Sequence, residues 1–247
     1  MLSKTQSKYI RSLALQKFRK EHQSYLAEGE KIVAEWLFSD EKMELIVGLD
    51  NWISENTLLI QKHPEAICIG VSEDELKQIS TLQSPNKALL VVRNKRQPQL
   101  NNINNWCIAL DGIRDPGNMG TILRIADWFG IGDVICSQDC VDAFSPKVVQ
   151  SGMGAHLRVN IHETNLADFI KESPLDGIAA VLGGENVYQM NTPPDKGIII
   201  IGNEAKGISE EIIALAKYKV TIPKKGGAES LNAGVSTGIL CALLLGK

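Results

Sequence analysis

Three short stretches combine residue types that can do chemistry. Asp115 to Gly130 reads DPGNMGTILRIADWFG and places Asn118, Gly120 and Arg124 in an Asn-x-Gly-x-x-x-Arg spacing. Gly202 to Ser209 reads GNEAKGIS, with Asn203, Glu204 and Lys206 held between Gly202 and Gly207. Ile222 to Leu245 reads IPKKGGAESLNAGVSTGILCALLL and brings Ser230 and Asn232 behind a Lys-Lys-Gly-Gly segment. A guanidinium can grip an oxyanion bidentately or stabilise developing negative charge. Each stretch also has a plainer reading. Arg124 lies among Ile122, Leu123, Ile125 and Ala126 and can be a surface arginine lying over apolar neighbours. Glu204 can be a solvated loop acid, and the glycines can serve packing.

The elements that must position these residues are legible around them. WCIAL precedes the first stretch, GIIIIG opens the second and KVTIP opens the third, while GDVICS and GIAAVLGG are further apolar runs. Runs without polar alternation suit strands buried on both faces of a parallel sheet. Helical stretches between them imply a doubly wound α/β domain, whose ligands bind beyond the carboxyl ends of the strands. Pro116 and Gly117 are expected to form a turn, with Asn118 as N-cap of the helix that carries Arg124. Ser209 and Ser230 are expected to cap the two later helices. Gly234 and Gly238 each cost about 1 kcal/mol relative to alanine inside a helix, so a smooth face for tight packing against the sheet is their expected use.

Upstream, NKRQPQLNNINN (Asn94 to Asn105) has the composition of a linker. Before it, MELIVGL, AICIGV and ALLVV read as strands and EGEKIVAEWLF and SEDELKQIS as helices. The expected organisation is a small α/β domain over residues 1–97 with a basic helical arm, then a larger domain over 104–247.

Composition bounds the function classes. The 247 residues carry a net charge of -3, so nothing global advertises nucleic acid. Locally, MLSKTQSKYIRSLALQKFRK holds six cations and no acid, and Arg93, Lys95 and Arg96 form a second basic group. Such runs belong either to a solvated face or to a phosphate-contacting surface. The five cysteines are odd in number and include no C-x-x-C pair, which points to reduced thiols in a cytoplasmic protein and to no metal. ILCALLL is too short to cross a bilayer, so no membrane is expected.

Taken together, the three stretches resemble the SpoU (TrmH) family of RNA ribose 2′-O-methyltransferases over residues 104–247. The matching motifs are Asn118-x-Gly120-x-x-x-Arg124, Gly202-x-Glu204-x-x-Gly207, and Ile222-Pro223 followed by Ser230-Leu231-Asn232. The N-terminal part is similar to the ribosomal-protein-L30e-like substrate domain of members that act on large-subunit rRNA. The resemblance implies a SPOUT methyltransferase domain with a deep trefoil knot, working as a homodimer. It implies S-adenosylmethionine as cofactor, bound by Gly183 and the backbone around Ile201, Gly202, Asn203, Gly207, Ile222, Pro223 and Leu231. It implies a catalytic set of Arg124, Asn118, Glu204, Ser230 and Asn232. One departure stands out: the family's second serine of motif three is Gly234 here.

The implied reaction explains why an arginine is needed. A ribose hydroxyl is a poor nucleophile at neutral pH, so it must be aligned and its developing alkoxide stabilised. Arg124 is expected to hold an RNA phosphate and lower the hydroxyl pKa, since an arginine pKa above about 12 opposes a role as general base. rRNA is the expected substrate, with tRNA as the alternative, and a non-catalytic RNA-binding or ribosome-assembly factor as the rival class. A nicotinamide-dependent oxidoreductase would need G-x-G-x-x-G after the first strand, and the chain offers only GMGAHL at Gly152.

Overall fold

The computed structural model describes residues 2–95, 97–100, 103–190 and 194–246. Arg96, one member of the second basic group, lies outside the described residues. The chain forms two compact units: Met1–Arg96 with Phe144–Leu157, and Gln97–Ala143 with Arg158–Lys247. The first unit therefore takes in a segment from the second half of the chain, which the contiguous division at 97 and 104 does not anticipate.

The first unit opens with α1 (Lys4–Ser12) and α2 (Gln16–His22), the helical basic arm. Ser3 and Gln6 close a reciprocal capping box at the start of α1. β1 (Ser24–Glu28), α3 (Glu30–Leu37), β2 (Met43–Leu49), α4 (Asp50–Glu55), α5 (Thr57–Ile60), β3 (Ile67–Val71), α6 (Glu73–Ile79) and β4 (Ala88–Arg93) follow. The sheet order is β1-β4-β2-β3, with β2 and β3 parallel and β4 antiparallel to both its neighbours. Trp36 and Trp52 are buried in its core. The recruited segment carries α8 (Pro146–Gly152). Its Val149 joins that core, and Phe144 and His156 pack on the Tyr25 ring.

The second unit is a six-stranded sheet, parallel at every pairing, of order β10-β8-β9-β5-β6-β7. Its strands are β5 (Cys107–Asp111), β6 (Asp133–Cys136), β7 (Asn160–Glu163), β8 (Gly177–Asn186), β9 (Ile198–Gly202) and β10 (Tyr218–Thr221). Its helices are α7 (Pro116–Trp128), α9 (Leu166–Glu172), α10 (Glu210–Leu215) and α11 (Ala233–Leu245). Ile198 to Ile201 are buried, as four consecutive isoleucines must be in a strand covered on both faces. From β5 the chain steps outward to β6 and β7. From β9 it goes the other way, through α10 to β10. The crevice beyond the carboxyl ends of β5 and β9 is thus a topological switch point. The first two stretches leave from those two strand ends.

Candidate active site

At the end of β5 the chain turns straight into α7. Asp115, not Asn118, is the N-cap: its Oδ1 accepts the backbone N–H of Asn118 at 2.8 Å, and Pro116 occupies the first helical turn. A proline at the first helical position loses no needed donor, and Asp is a strong cap. The Pro116-Gly117 pair therefore starts the helix and is not a separate turn. Freed from capping, the Asn118 side chain is almost buried at 9% exposure and points to other loops.

Asn118 joins the three stretches. Its Nδ2 donates to Glu204 Oε1 at 2.8 Å, and its Oδ1 accepts from Asn232 Nδ2 at 2.7 Å. Asn232, not Ser230, is the N-cap of α11, its Oδ1 accepting the N–H groups of Gly234 and Val235 at 2.9 and 3.2 Å. The polarity of this relay is forced. Backbone N–H groups can only donate, so Asn232 must turn its oxygen to the helix and its NH₂ to Asn118. Asn118 must then meet Asn232 with its oxygen and Glu204 with its NH₂, and an ionised Glu204 can only accept.

The second stretch is held as tightly. Asn203 Nδ2 donates to the Gly112 carbonyl at 2.6 Å, while its Oδ1 accepts the N–H groups of Ala205 and Lys206, both at 3.0 Å. Asn203 and Gly207 exchange backbone hydrogen bonds of 3.0 and 2.9 Å, and Gly207 has φ +73°. A Cβ on Gly202 would lie 2.2 Å from the Gly207 carbonyl carbon and the Ile208 nitrogen, so only glycine fits. Asp111 Oδ2 accepts the Ser209 N–H at 2.7 Å. Ser209 is the N-cap of α10 by position, though its hydroxyl makes no capping bond.

Beside these loops β8 breaks its register. One step on β10, from Lys219 to Val220, corresponds on β8 to the step from Ala179 to Glu185, so the segment between them bulges from the sheet. Gly183 in that bulge has φ +81° and open space where a Cβ would stand. Leu182 and Leu231 are exposed and Ile222 is half-buried. Glycine turns and apolar side chains on neighbouring strand ends suit the adenosine portion of a nucleoside cofactor, and so fit that part of S-adenosylmethionine. Gly183, Ile201, Gly202, Asn203, Gly207, Ile222, Pro223 and Leu231 all lie on these loops or at the strand ends that open into them; Ile201 is buried in β9 and Pro223 is exposed.

Arg124 is exposed on α7, with no hydrogen bond or ion pair among the described residues. It stands roughly 9 Å along the helix axis from Asn118, with buried Gly120 one turn before it. Its guanidinium is therefore open to a ligand. Ser230 is likewise exposed and without a hydrogen bond among the described residues, two residues before the relay. Gly234 and Gly238 turn to α7 rather than to the sheet. A Cβ on Gly234 would stand 2.8 Å from Thr121 Cγ2, while one on Gly238 would make ordinary contact with Ile125. That close approach of α11 to α7 accounts for glycine where the family's serine would stand.

The residues around the site that sequence reasoning missed are Asp111 and Asp115, which hold the loops by accepting backbone N–H groups. The Asp-Pro pair was the available signal for Asp115. Cys140 was missed too. Its Sγ lies 3.4 Å from the Leu110 carbonyl and 3.5 Å from Ser137 Oγ. Hydrogen bonding with Cys136 brings its thiol down to about 7 against the opposing effect of burial, and Ser137 and the backbone of Ile113 and Gly112 act in the same direction.

Comparison with known proteins agrees with this geometry. Residues 105–242 match the SpoU rRNA Methylase family and residues 4–89 the MRM3-like substrate binding domain. The chain is 27% identical over 239 residues to the 23S rRNA (guanosine(2553)-2'-O)-methyltransferase RlmP of Bacillus subtilis, covering 96% of this chain and 94% of that protein. A putative RNA methyltransferase of the TrmH family from Porphyromonas gingivalis superposes with a TM-score of 0.87 at 34% identity, over 99% of this chain and 98% of that one. The AdoMet-bound rRNA methyltransferase from Sinorhizobium meliloti does so with a TM-score of 0.87 at 28% identity, over 99% and 96%. A family match over more than half of the chain, on a site whose three motifs are joined by one relay, means that this protein belongs to the SpoU rRNA methylase family.

Proposed function

We propose that this chain is an enzyme that methylates a ribose 2′-hydroxyl in structured rRNA, with S-adenosylmethionine as donor. The observation that carries the reading is the Glu204–Asn118–Asn232 relay, which joins the family's three motifs beyond the carboxyl ends of β5 and β9. The sinorhizobial relative with AdoMet bound supports the choice of cofactor. The names of the relatives support rRNA.

When bound, the cofactor supplies a methyl group already activated on a sulfonium. What remains for the protein is to bring an oxygen nucleophile into line and to stabilise its charge. Arg124 does this: its guanidinium holds the RNA phosphate bidentately and favours alkoxide character on the neighbouring ribose oxygen, whose proton passes to solvent water as the O–CH₃ bond forms and the S–CH₃ bond breaks. The relay fixes Glu204 and Asn232 at the mouth of the same crevice, and Ser230 is positioned by the cap that follows it. Gly183 and the backbone from Ile201 to Gly207, with Ile222, Pro223 and Leu231, hold the cofactor. The N-terminal domain over 1–97 recognises the RNA, and the domain over 104–247 carries the reaction.

The chain after β10 is knotted in this reading, with α11 drawn against α7. The enzyme works as a homodimer. Trp128 and Val235, 85% and 50% exposed on two helices that pack together, offer an apolar surface to a second copy. No described helix is long and apolar enough to cross a membrane. The bacterial rRNA methyltransferase relative supports a cytoplasmic setting. The test is transfer of labelled methyl from S-adenosylmethionine to unmodified rRNA and tRNA, followed by digestion to nucleosides. A 2′-O-methyl nucleoside from rRNA is the expected product. Label on a base, or on tRNA alone, would contradict the reading.

A further inference from the structure

Within the first unit, α1, α2 and α6 surround a groove of about 590 Å³. Lys4, Lys8 and Arg11 line it, at positions i, i+4 and i+7 of α1, so the three cations stand in a row along one helical face. All three are exposed, and none has an ion pair among the described residues. The acid on the lining, Glu75, has its carboxylate engaged by the Ser72 N–H at 3.0 Å in the capping box of α6. Phe18 lines the wall half-buried, its ring stacked on His22 at 6.4 Å and with Lys17 Nζ 5.7 Å from its centroid, which leaves only part of the ring to the groove. The arrangement is held from beneath, because buried Arg19 donates to the Leu13 carbonyl at 2.7 Å and so ties α2 to the end of α1.

A row of unpaired cations with an aromatic side chain beside it matches a single RNA strand, which offers phosphates at regular intervals and a base face between them. We propose that this groove binds an unpaired stretch of the substrate RNA. Lys4, Lys8 and Arg11 meet successive phosphates, and Phe18 packs against a base. Arg19 is structural and takes no part. The inference rests on the rRNA reading above but assigns a surface that the methyl-transfer site does not contain.

The test uses the full chain and an unmodified large-subunit rRNA transcript, with RNA affinity measured across a salt series beside methyl-transfer kinetics. The triple variant Lys4→Ala/Lys8→Ala/Arg11→Ala should weaken binding at least tenfold. The slope of log affinity against log salt should fall by about 2 for three lost contacts to a single strand. KM for RNA should rise while kcat at saturating RNA and the affinity for S-adenosylmethionine stay at wild-type values. Phe18→Leu, which keeps an apolar side chain, should weaken binding severalfold without changing the salt slope. Unchanged RNA affinity and salt slope in the triple variant, with wild-type methyl transfer, would overturn the groove and leave it to a protein partner. A wild-type chain that binds the transcript through the groove but transfers no methyl would overturn the proposed reaction instead.

Discussion

Asn118 and Asn232 lie 114 residues apart in the chain and share a 2.7 Å hydrogen bond whose direction is dictated by the first N–H groups of α11. With Glu204 at the other end, one buried amide links the loops after β5 and β9 to the cap of the last helix. Asn118→Ala should therefore disturb more than its own site. It leaves the Asn232 amide without its acceptor and removes the Glu204 donor, and each loss is worth about 1 kcal/mol. A double-mutant cycle of Asn118→Ala and Glu204→Ala by chemical denaturation should give a coupling of about 0.5–1.5 kcal/mol. Additive effects would mean that the hydrogen bond does not hold the loops.

Gly202 permits no side chain. Gly202→Ala should displace the Asn203–Gly207 turn and lower cofactor affinity by an order of magnitude or more, measured by calorimetry. At Gly234 a Cβ would stand 2.8 Å from Thr121 Cγ2 and 3.3 Å from both Thr121 Cβ and the Asn232 cap oxygen, and a β-branched threonine has little freedom to yield. Gly234→Ser should therefore cost about 1–3 kcal/mol, measured by chemical denaturation.

The capping assignments give a clean contrast. Asn232→Ala removes the α11 cap and should cost about 0.5–2 kcal/mol. Ser230→Ala touches no hydrogen bond among the described residues and should leave the melting temperature unchanged while slowing methyl transfer. Equal destabilisation by the two variants would mean that Ser230 shares the cap.

Cys140 should be the thiol most reactive near neutrality. The thiolate is the nucleophile, and a pKa lowered to about 7 leaves half of it ionised there. Alkylation should rise through pH 7 and level off above it. Cys107 and Cys241, pushed up to about 12 chiefly by burial, should stay unmodified. A rate at Cys140 still climbing above pH 9 would show an ordinary thiol.

The strands that matter most were the most legible. Cys107–Asp111 and Ile198–Gly202 are buried on both faces, and their apolar runs show it. The identities of Asn118, Glu204 and Asn232 were readable from spacing, but their relay was not, because its direction depends on contacts across 86 and 114 residues. The cap of α7 was misplaced because Asp115 and Asn118 are both good caps, and the proline between them decides. β1 and β7 were missed for a related reason. Ser24–Glu28 buries its polar ends against Glu44, Ser80 and Thr81, and in Asn160–Glu163 a buried His162 meets Asp133 at 2.8 Å. Side chains that look like loop residues are satisfied there by distant partners. The same holds for 144–157, whose packing on β1 leaves no local trace.

The central claim is that Arg124 acts on the RNA and not on the fold or the cofactor. The direct measurement is methyl transfer to unmodified rRNA by wild type, Arg124→Ala and Arg124→Lys, alongside their affinity for S-adenosylmethionine. Exposed and without a partner among the described residues, Arg124 should be replaceable without loss of stability. Arg124→Ala should lose at least about a hundredfold in rate, near 2.7 kcal/mol of transition-state stabilisation, with cofactor affinity within about twofold of wild type. Arg124→Lys should recover only a fraction, since an ammonium cannot reproduce the bidentate grip. An Arg124→Ala enzyme that keeps most of its rate would contradict the account.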